Sequence, residues 1–76
     1  MARLPLCSSQ QVIRALERAG FQPAHSSGSH LVMNKWTRRK TIIAVVVMGK
    51  SEVPRGALRK ILRQAELTNR EFLEFL

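Results

Sequence analysis

The sequence predicts an α+β domain in which one helix, three antiparallel strands, a second helix and a short tail helix follow one another. Two helix-start signals, each a Ser or Thr followed three residues later by Gln or Glu, lie at residues 8–11 and 68–71. Between them, residues 42–48 form an apolar run rich in β-branched side chains, which is typical of a strand. A chain of 76 residues with 45% apolar residues is long enough for a single domain, residues 1–76.

The first helix is predicted over residues 8–19. Ser8 is its N-cap, and Val12 and Leu16 follow at helical spacing on one apolar face. Gly20 ends the helix, because the left-handed residue that closes many helices is usually a glycine.

Three extended segments follow the first helix. Residues 21–26 form a weak strand, and Pro23 places it at a sheet edge or in a bulge. Residues 30–36 form a second strand, and residues 41–48 form the strongest one. Because residues 41–48 are apolar on both faces, we expect this strand to be central in the sheet or covered on both sides. Strands joined in sequence by short turns pair antiparallel.

The second helix is predicted over residues 54–66. Pro54 suits its first position, and Leu58, Ile61 and Leu62 fall on one apolar stripe. The predicted core between the helices and the sheet consists of Val12, Leu16, Leu58, Ile61 and Leu62.

The tail helix begins at Thr68, and its apolar residues Phe72, Leu73, Phe75 and Leu76 either pack on the domain's own core or contact a partner. The full order contains the α-β-β-β-α arrangement of double-stranded-RNA-binding domains, with two helices on one face of a three-stranded antiparallel sheet. Because this layout serves many unrelated proteins, the fold alone does not give the function.

The composition indicates the kind of partner. Thirteen Lys and Arg residues against five Asp and Glu residues give a net charge of +8. So much positive charge on a small domain indicates a polyanionic partner: a nucleic acid, an acidic membrane or an acidic protein.

Cysteine usage and the absence of long apolar segments predict where the protein works. Cys7 is the only cysteine, which excludes an internal disulfide and a cysteine-rich zinc site and fits a reducing compartment. Neither a signal peptide nor a membrane-spanning segment is recognisable. We expect a soluble protein of the cytoplasm that binds no membrane.

His30 is the candidate reactive group. It follows the small residues 26–29 at the start of a predicted strand. Imidazole donates and accepts protons near neutral pH, and on a basic surface this chemistry suits RNA cleavage without a metal. The competing interpretation is an ordinary hydrogen-bonded histidine. On one continuous strand, His25 would point to the opposite face, and no nearby acidic residue or cysteine completes a metal site, so we predict neither metal nor cofactor.

The second helix carries candidate phosphate contacts. Arg55, Arg59 and Arg63 form a ridge at intervals of four residues. Arg55 opposes the helix dipole at the helix start, where Gly56 leaves the backbone accessible, and a bound anion would reverse this cost. Lys50 lies just upstream. The alternatives are a solvated basic face and an ordinary helix start at a proline.

The connection between the second and third strands is basic and contains the only tryptophan. Lys35, Arg38, Arg39 and Lys40 surround Trp36. Such a hairpin either stacks a base and guides a phosphate backbone, or is a soluble turn with Trp36 packed at the sheet edge.

Several segments resemble a known family. Residues 28–30 read Gly-Ser-His, residues 52–65 read Glu-Val-Pro-Arg-Gly-Ala-Leu-Arg and onward to Gln-Ala, and residues 19–21 read Ala-Gly-Phe. In this order and spacing, over nearly the whole chain, they resemble the HicA (YcfA-like) toxins of bacterial HicA/HicB toxin–antitoxin modules.

The resemblance implies a type II toxin that is a metal-independent endoribonuclease, an mRNA interferase, with a fold like that of double-stranded-RNA-binding domains. Its catalytic residue is the histidine of Gly-Ser-His, here His30. Its expected partners are mRNA and a HicB-like antitoxin that covers the active site. The residues that we assign to RNA binding are Gly28, Ser29, Lys35, Lys50, Arg55, Gly56 and Arg59.

The sequence departs from the family pattern at two positions. Many members carry a second histidine at the end of the third strand, where this chain has Met48, and a threonine where it has Ala57. If the second histidine helps catalysis in relatives, then here either Lys50, Arg55 or the RNA itself supplies that group or the activity is reduced. The alternative function is a non-catalytic RNA-binding module, or a degenerate toxin that acts only through its antitoxin.

Overall fold

The computed structural model describes residues 3–76 and contains the predicted elements in the predicted order. Three helices and three strands are present: α1 (Ser9–Arg18), β1 (Gln22–Ser27), β2 (His30–Trp36), β3 (Thr41–Val47), α2 (Arg55–Ala65) and α3 (Asn69–Phe75). The strands form one antiparallel sheet in the order β1-β2-β3. The α+β layout with a tail helix is therefore confirmed.

β1 is an edge strand with an irregular register. The pairing with β2 shifts between Pro23 and His25, because proline has no N–H to donate to the ladder and is tolerated only at an edge or a bulge. Pro23 predicted a sheet edge or a bulge, and β1 is an edge strand with an irregular register at this residue.

β3 is the other edge strand, so the prediction of a central or doubly covered strand is wrong. Its outer side chain Ile43 remains 54% exposed. Instead of a fourth strand, α2 lies along this edge, and the Gln64 Oε1 atom accepts a hydrogen bond from the backbone N–H of Val45 at 2.9 Å. The Gln64 side chain thus accepts a hydrogen bond from a backbone N–H at the sheet edge, which would otherwise be free to pair with a neighbouring strand.

The core lies on one face of the sheet. Met33, Ala44 and Val46 are fully buried there, whereas the residues that alternate with them are not. The predicted helical core residues are at most 3% exposed, which confirms all five of them: Val12, Leu16, Leu58, Ile61 and Leu62.

The tail helix packs on the domain's own core. Phe72 is fully buried, and the Arg18 Nη1 atom donates a hydrogen bond to the Phe75 carbonyl at 2.8 Å, which joins α1 to the end of α3. Both predicted capping boxes are present, at Ser8 and at Thr68. Pro54 is the N-cap of α2 rather than its first helical residue, and no side chain caps this end.

The segment before α1 pairs with the segment before α2. The Val53 N–H donates to the Cys7 carbonyl at 2.7 Å. Cys7 is a buried free cysteine, and burial raises the pKa of its thiol. Within residues 3–76, no helix is long and apolar enough to cross a membrane.

Candidate functional site

His30 is the first residue of β2 and lies on the side of the sheet that the helices leave uncovered. Because side chains alternate along a strand, it shares this side with every second residue of β2 and with their partners on β3. We call this side the open face; on β2 and β3 it carries His30, Val32, Asn34, Trp36, Thr41, Ile43, Val45 and Val47. His30 is exposed there.

The turn before His30 depends on a glycine. Gly28 has a φ of +59°, a left-handed conformation that glycine adopts at little cost, and with Ser29 it closes the β1–β2 hairpin. The Met48 N–H donates to the Ser29 carbonyl at 2.6 Å. The segment that precedes His30 is therefore an ordered turn, held by the end of β3, and not a loose hinge.

A loop from the end of β3 is fixed beside this turn. The Ser9 hydroxyl donates to the Val47 carbonyl at 2.7 Å and accepts from the Lys50 N–H at 3.0 Å, and the Ser9 N–H donates to the Lys50 carbonyl at 2.9 Å. Ser9 is only 4% exposed. The fold thereby brings Lys50 to the same end of the sheet as Gly28, Ser29 and His30.

A shallow cavity of about 210 Å³ joins His30 to α2. Its lining consists of His30, Val45, Val47, Ala57, Lys60, Ile61 and Gln64. Lys60 thus brings a cationic side chain to the cavity that His30 lines, and Ala57 lines it as well.

Lys60 and Gln64 also line this cavity, although their positions in the sequence gave no reason to place them beside His30. Ala57, Lys60 and Gln64 are spaced by three and four residues, so they fall on one flank of the helix. This spacing was available in the sequence, but nothing in it related that flank to His30, thirty positions earlier.

The arginine ridge lies on a different flank of α2. At 3.6 residues per turn, Arg55, Arg59 and Arg63 are centred about 130° around the helix from the flank that carries Lys60. The Arg55 Nε atom donates to the Leu4 carbonyl at 3.2 Å. The structure therefore does not bring the ridge into the cavity that His30 lines.

Lys35 is also separate from this cavity. It alternates onto the core side of β2, where its Nζ atom lies 5.9 Å from the centroid of the Phe21 ring and its side chain passes over Gly20. Gly56 lies at the start of α2 beside Arg55. No neighbouring side chain or distant backbone atom lies within 4 Å of the position that a Cβ atom would occupy there.

His25 shares the open face with His30, because the two residues lie on adjacent strands rather than on one. It pairs with Val32, diagonally next to His30, where side chains are about 7–8 Å apart. Among residues 3–76, no three His, Cys, Asp or Glu side chains cluster in a way that would hold a metal ion.

The comparison with protein families identifies the chain. The model of the family described as the HicA toxin of bacterial toxin–antitoxin modules matches residues 9–67. The chain belongs to the HicA toxin family. A search of curated proteins found no match. As a HicA-family member the chain is a toxin of a toxin–antitoxin module, so the kind of protein partner that its family implies is an antitoxin. The match includes the turn at Gly28, His30 and all of α2.

Proposed function

We propose that this HicA-family toxin is a metal-independent endoribonuclease that cleaves mRNA in the cytoplasm, with His30 as its catalytic residue. The observation that carries this proposal is the shared cavity of His30 and Lys60, open to solvent at the edge of the sheet. The cavity combines an imidazole, which can accept and donate a proton, with the positive charge of a lysine side chain.

The reaction that fits these two groups is attack by a ribose 2′-oxygen on the neighbouring phosphorus. His30 removes the 2′-hydroxyl proton, the bond between phosphorus and the 2′-oxygen forms, and the bond to the 5′-oxygen breaks. The departing 5′-oxygen takes a proton from the imidazolium or from water, and the product end is a cyclic phosphate. Lys60 stabilises the negative charge that develops on the phosphate oxygens.

The sequence-assigned RNA contacts divide into three groups in this proposal. Gly28 and Ser29 directly precede His30, Lys50 lies at the same end of the sheet, and the small residues of the turn allow a phosphate to approach His30. Arg55, Gly56 and Arg59, near the start of α2, contact phosphates beyond the cut site. Lys35, on the other side of the sheet, contributes to general attraction through the net charge of +8.

Inhibition follows from the same geometry. A HicB-like antitoxin with acidic residues would meet the basic surface, cover His30 and exclude RNA. A complex in which His30 stays accessible would contradict this mode of inhibition.

The decisive experiment compares His30→Ala with His25→Ala, since both histidines are exposed on the open face. We expect His30→Ala to lower the rate of RNA cleavage by about 10²–10⁴-fold, as loss of an acid–base group does. His25→Ala should leave the rate nearly unchanged. Both variants should keep the parent melting temperature, because neither side chain belongs to the core.

Two further measurements test the mechanism. A chelator should not inhibit cleavage, and a 2′-deoxy nucleotide at the cut site should block it because the attacking oxygen is missing. Cleavage by His30→Ala, or a requirement for a divalent metal, would refute the assignment. If the parent protein binds RNA but does not cleave it, the non-catalytic binding module, which Met48 in place of a family histidine favours, would be the better description.

A further inference from the structure

We propose that the open face binds single-stranded RNA next to the cut site and that Trp36 stacks on a base several nucleotides away from the cleaved phosphate. This inference rests on the proposed function and adds a second contact region to it. Trp36 would act as a binding and positioning residue and not as a catalytic one.

The geometry of β2 relates Trp36 to His30. The two residues mark the ends of the strand and lie on the same face, six positions apart. At about 3.3 Å per residue, this separation is about 20 Å along the strand. Val32 and Asn34 lie between them, and their β3 partners Val45 and Ile43 widen this strip of the open face. Three of these four side chains are apolar.

Packing in the core does not explain why a tryptophan stands at position 36. It is 75% exposed, and its partner across the strands is Thr41, too small to cover an indole. Ile43, one pair further along the open face, is 54% exposed. Packing of Trp36 at the sheet edge, which the sequence left as an alternative, is therefore not what the structure has.

The hairpin after Trp36 is ordered and cationic. The Thr37 hydroxyl donates to the Lys40 carbonyl at 2.8 Å and accepts from the N–H groups of Arg39 and Lys40 at 3.2 and 3.0 Å. Lys40 forms an ion pair with Glu66 at 2.6 Å. Within residues 3–76, the guanidinium groups of Arg38 and Arg39 have no such partner, so both are available to phosphates.

Charge and shape together favour RNA as the occupant. Cations lie at both ends of the strip, Lys60 near His30 and the two arginines near Trp36, which matches the repeated charge of a phosphate backbone. Every base has a π-face that stacks on an aromatic side chain, so an apolar strip with one exposed indole fits bases of any sequence. The strip also begins at the proposed cut site.

Trp36 supplies its own test because it is the only tryptophan in the chain. A single-stranded RNA oligonucleotide that extends well beyond the cut site is titrated into the His30→Ala variant, which binds without cutting. We expect saturable quenching of the indole fluorescence. A shorter oligonucleotide that spans only the cut site should bind with little quenching.

The affinity of labelled RNA for substituted proteins gives the second measurement. In the His30→Ala background, Trp36→Ala should weaken binding of the long RNA by about tenfold to a hundredfold, the range expected for one stacked base. Trp36→Phe should recover most of this loss. Leu6→Ala is the matched control, since it removes another exposed apolar side chain, 55% exposed, from the N-terminal segment.

The outcomes separate this inference from the proposed function. Unchanged affinity of Trp36→Ala for long RNA, or unchanged fluorescence on saturation, would refute the stacking role while leaving the His30 result intact. If Trp36→Ala instead loses affinity for the antitoxin alone, the strip is a protein contact and the inference is wrong. Cleavage by His30→Ala would refute the catalytic role of His30 and not the stacking role of Trp36, which would then be measured on RNA with a 2′-deoxy nucleotide at the cut site.

Discussion

The two faces of the sheet differ in what covers them. On the core face, Met33, Ala44 and Val46 lie beneath the helices and are fully buried. On the open face, the same two strands present His30, Ile43 and Trp36 to solvent. A sheet needs only one covered face for stability, so the other is free to carry chemistry and binding.

Because of this difference, we expect substitutions on the two faces of the sheet to affect different properties of the protein. Changes on the core face should lower the free energy of unfolding, and activity should fall only as far as the protein unfolds. Changes on the open face should alter RNA cleavage or binding at nearly constant stability.

The largest effect is expected for Leu58→Ala. Leu58 is fully buried on α2, so its truncation should lower the free energy of unfolding by about 2–5 kcal/mol, measured by urea denaturation. Ile43→Ala is the matched change on the open face, and it should cost less than about 1.5 kcal/mol because much of that side chain is already in water. Equal losses for the two variants would mean that the open face is part of the core.

A smaller effect, on activity alone, is expected for Lys60→Ala. Removing its charge should lower kcat for RNA cleavage by about tenfold to a hundredfold, because the charge acts on the transition state more than on bound RNA. The melting temperature should not change. Arg63→Ala removes the same charge from the other flank of α2 and serves as the control. A similar fall in kcat for both variants would show that only the net charge matters.

The smallest effect is expected at the tail helix, which is remote from the open face. The Thr68 hydroxyl accepts from the Glu71 N–H at 3.1 Å, and Thr68→Ala should lower the free energy of unfolding by about 1 kcal/mol. RNA cleavage by the folded protein should be unchanged. A loss of cleavage would link α3 to the site and contradict the division between the faces.

The same cap has a definite pH dependence. The pKa of Glu71 is lowered first by the hydrogen bond from the Thr68 backbone N–H, then by the hydrogen bond with its side chain, and also by the charge of Lys35. A carboxyl group whose pKa is lower in the folded state stabilises the fold above its ordinary pKa, and this stabilisation is lost as the pH falls through the folded-state value. The difference in melting temperature between the parent and Glu71→Gln should therefore shrink as the pH is lowered from 7 towards 3. A constant difference would show that Glu71 does not titrate in this way.

Much of the fold was predictable because its signals are local. The capping boxes at residues 8–11 and 68–71 lie where α1 and α3 begin, and the apolar stripe of α2 is buried as its periodicity indicated. The position of β3 was not predictable in this way. Its apolar residues lie on both faces, but only the tertiary structure gives it the Gln64 side chain in place of a neighbouring strand.

The candidate site likewise has one part that was predictable from the sequence and one part that was not. The resemblance to the family could be recognised from Gly-Ser-His and the α2 motif alone, and with it came the choice of His30 as the candidate reactive group. Which cations accompany His30 depends on the fold. Lys60 lines its cavity, whereas Arg55 and Arg59 lie on another flank of the same helix. Spacing along a helix shows which residues share a flank, but the rotation of that helix against the sheet is set by how Leu58, Ile61 and Leu62 pack on residues far away in the chain.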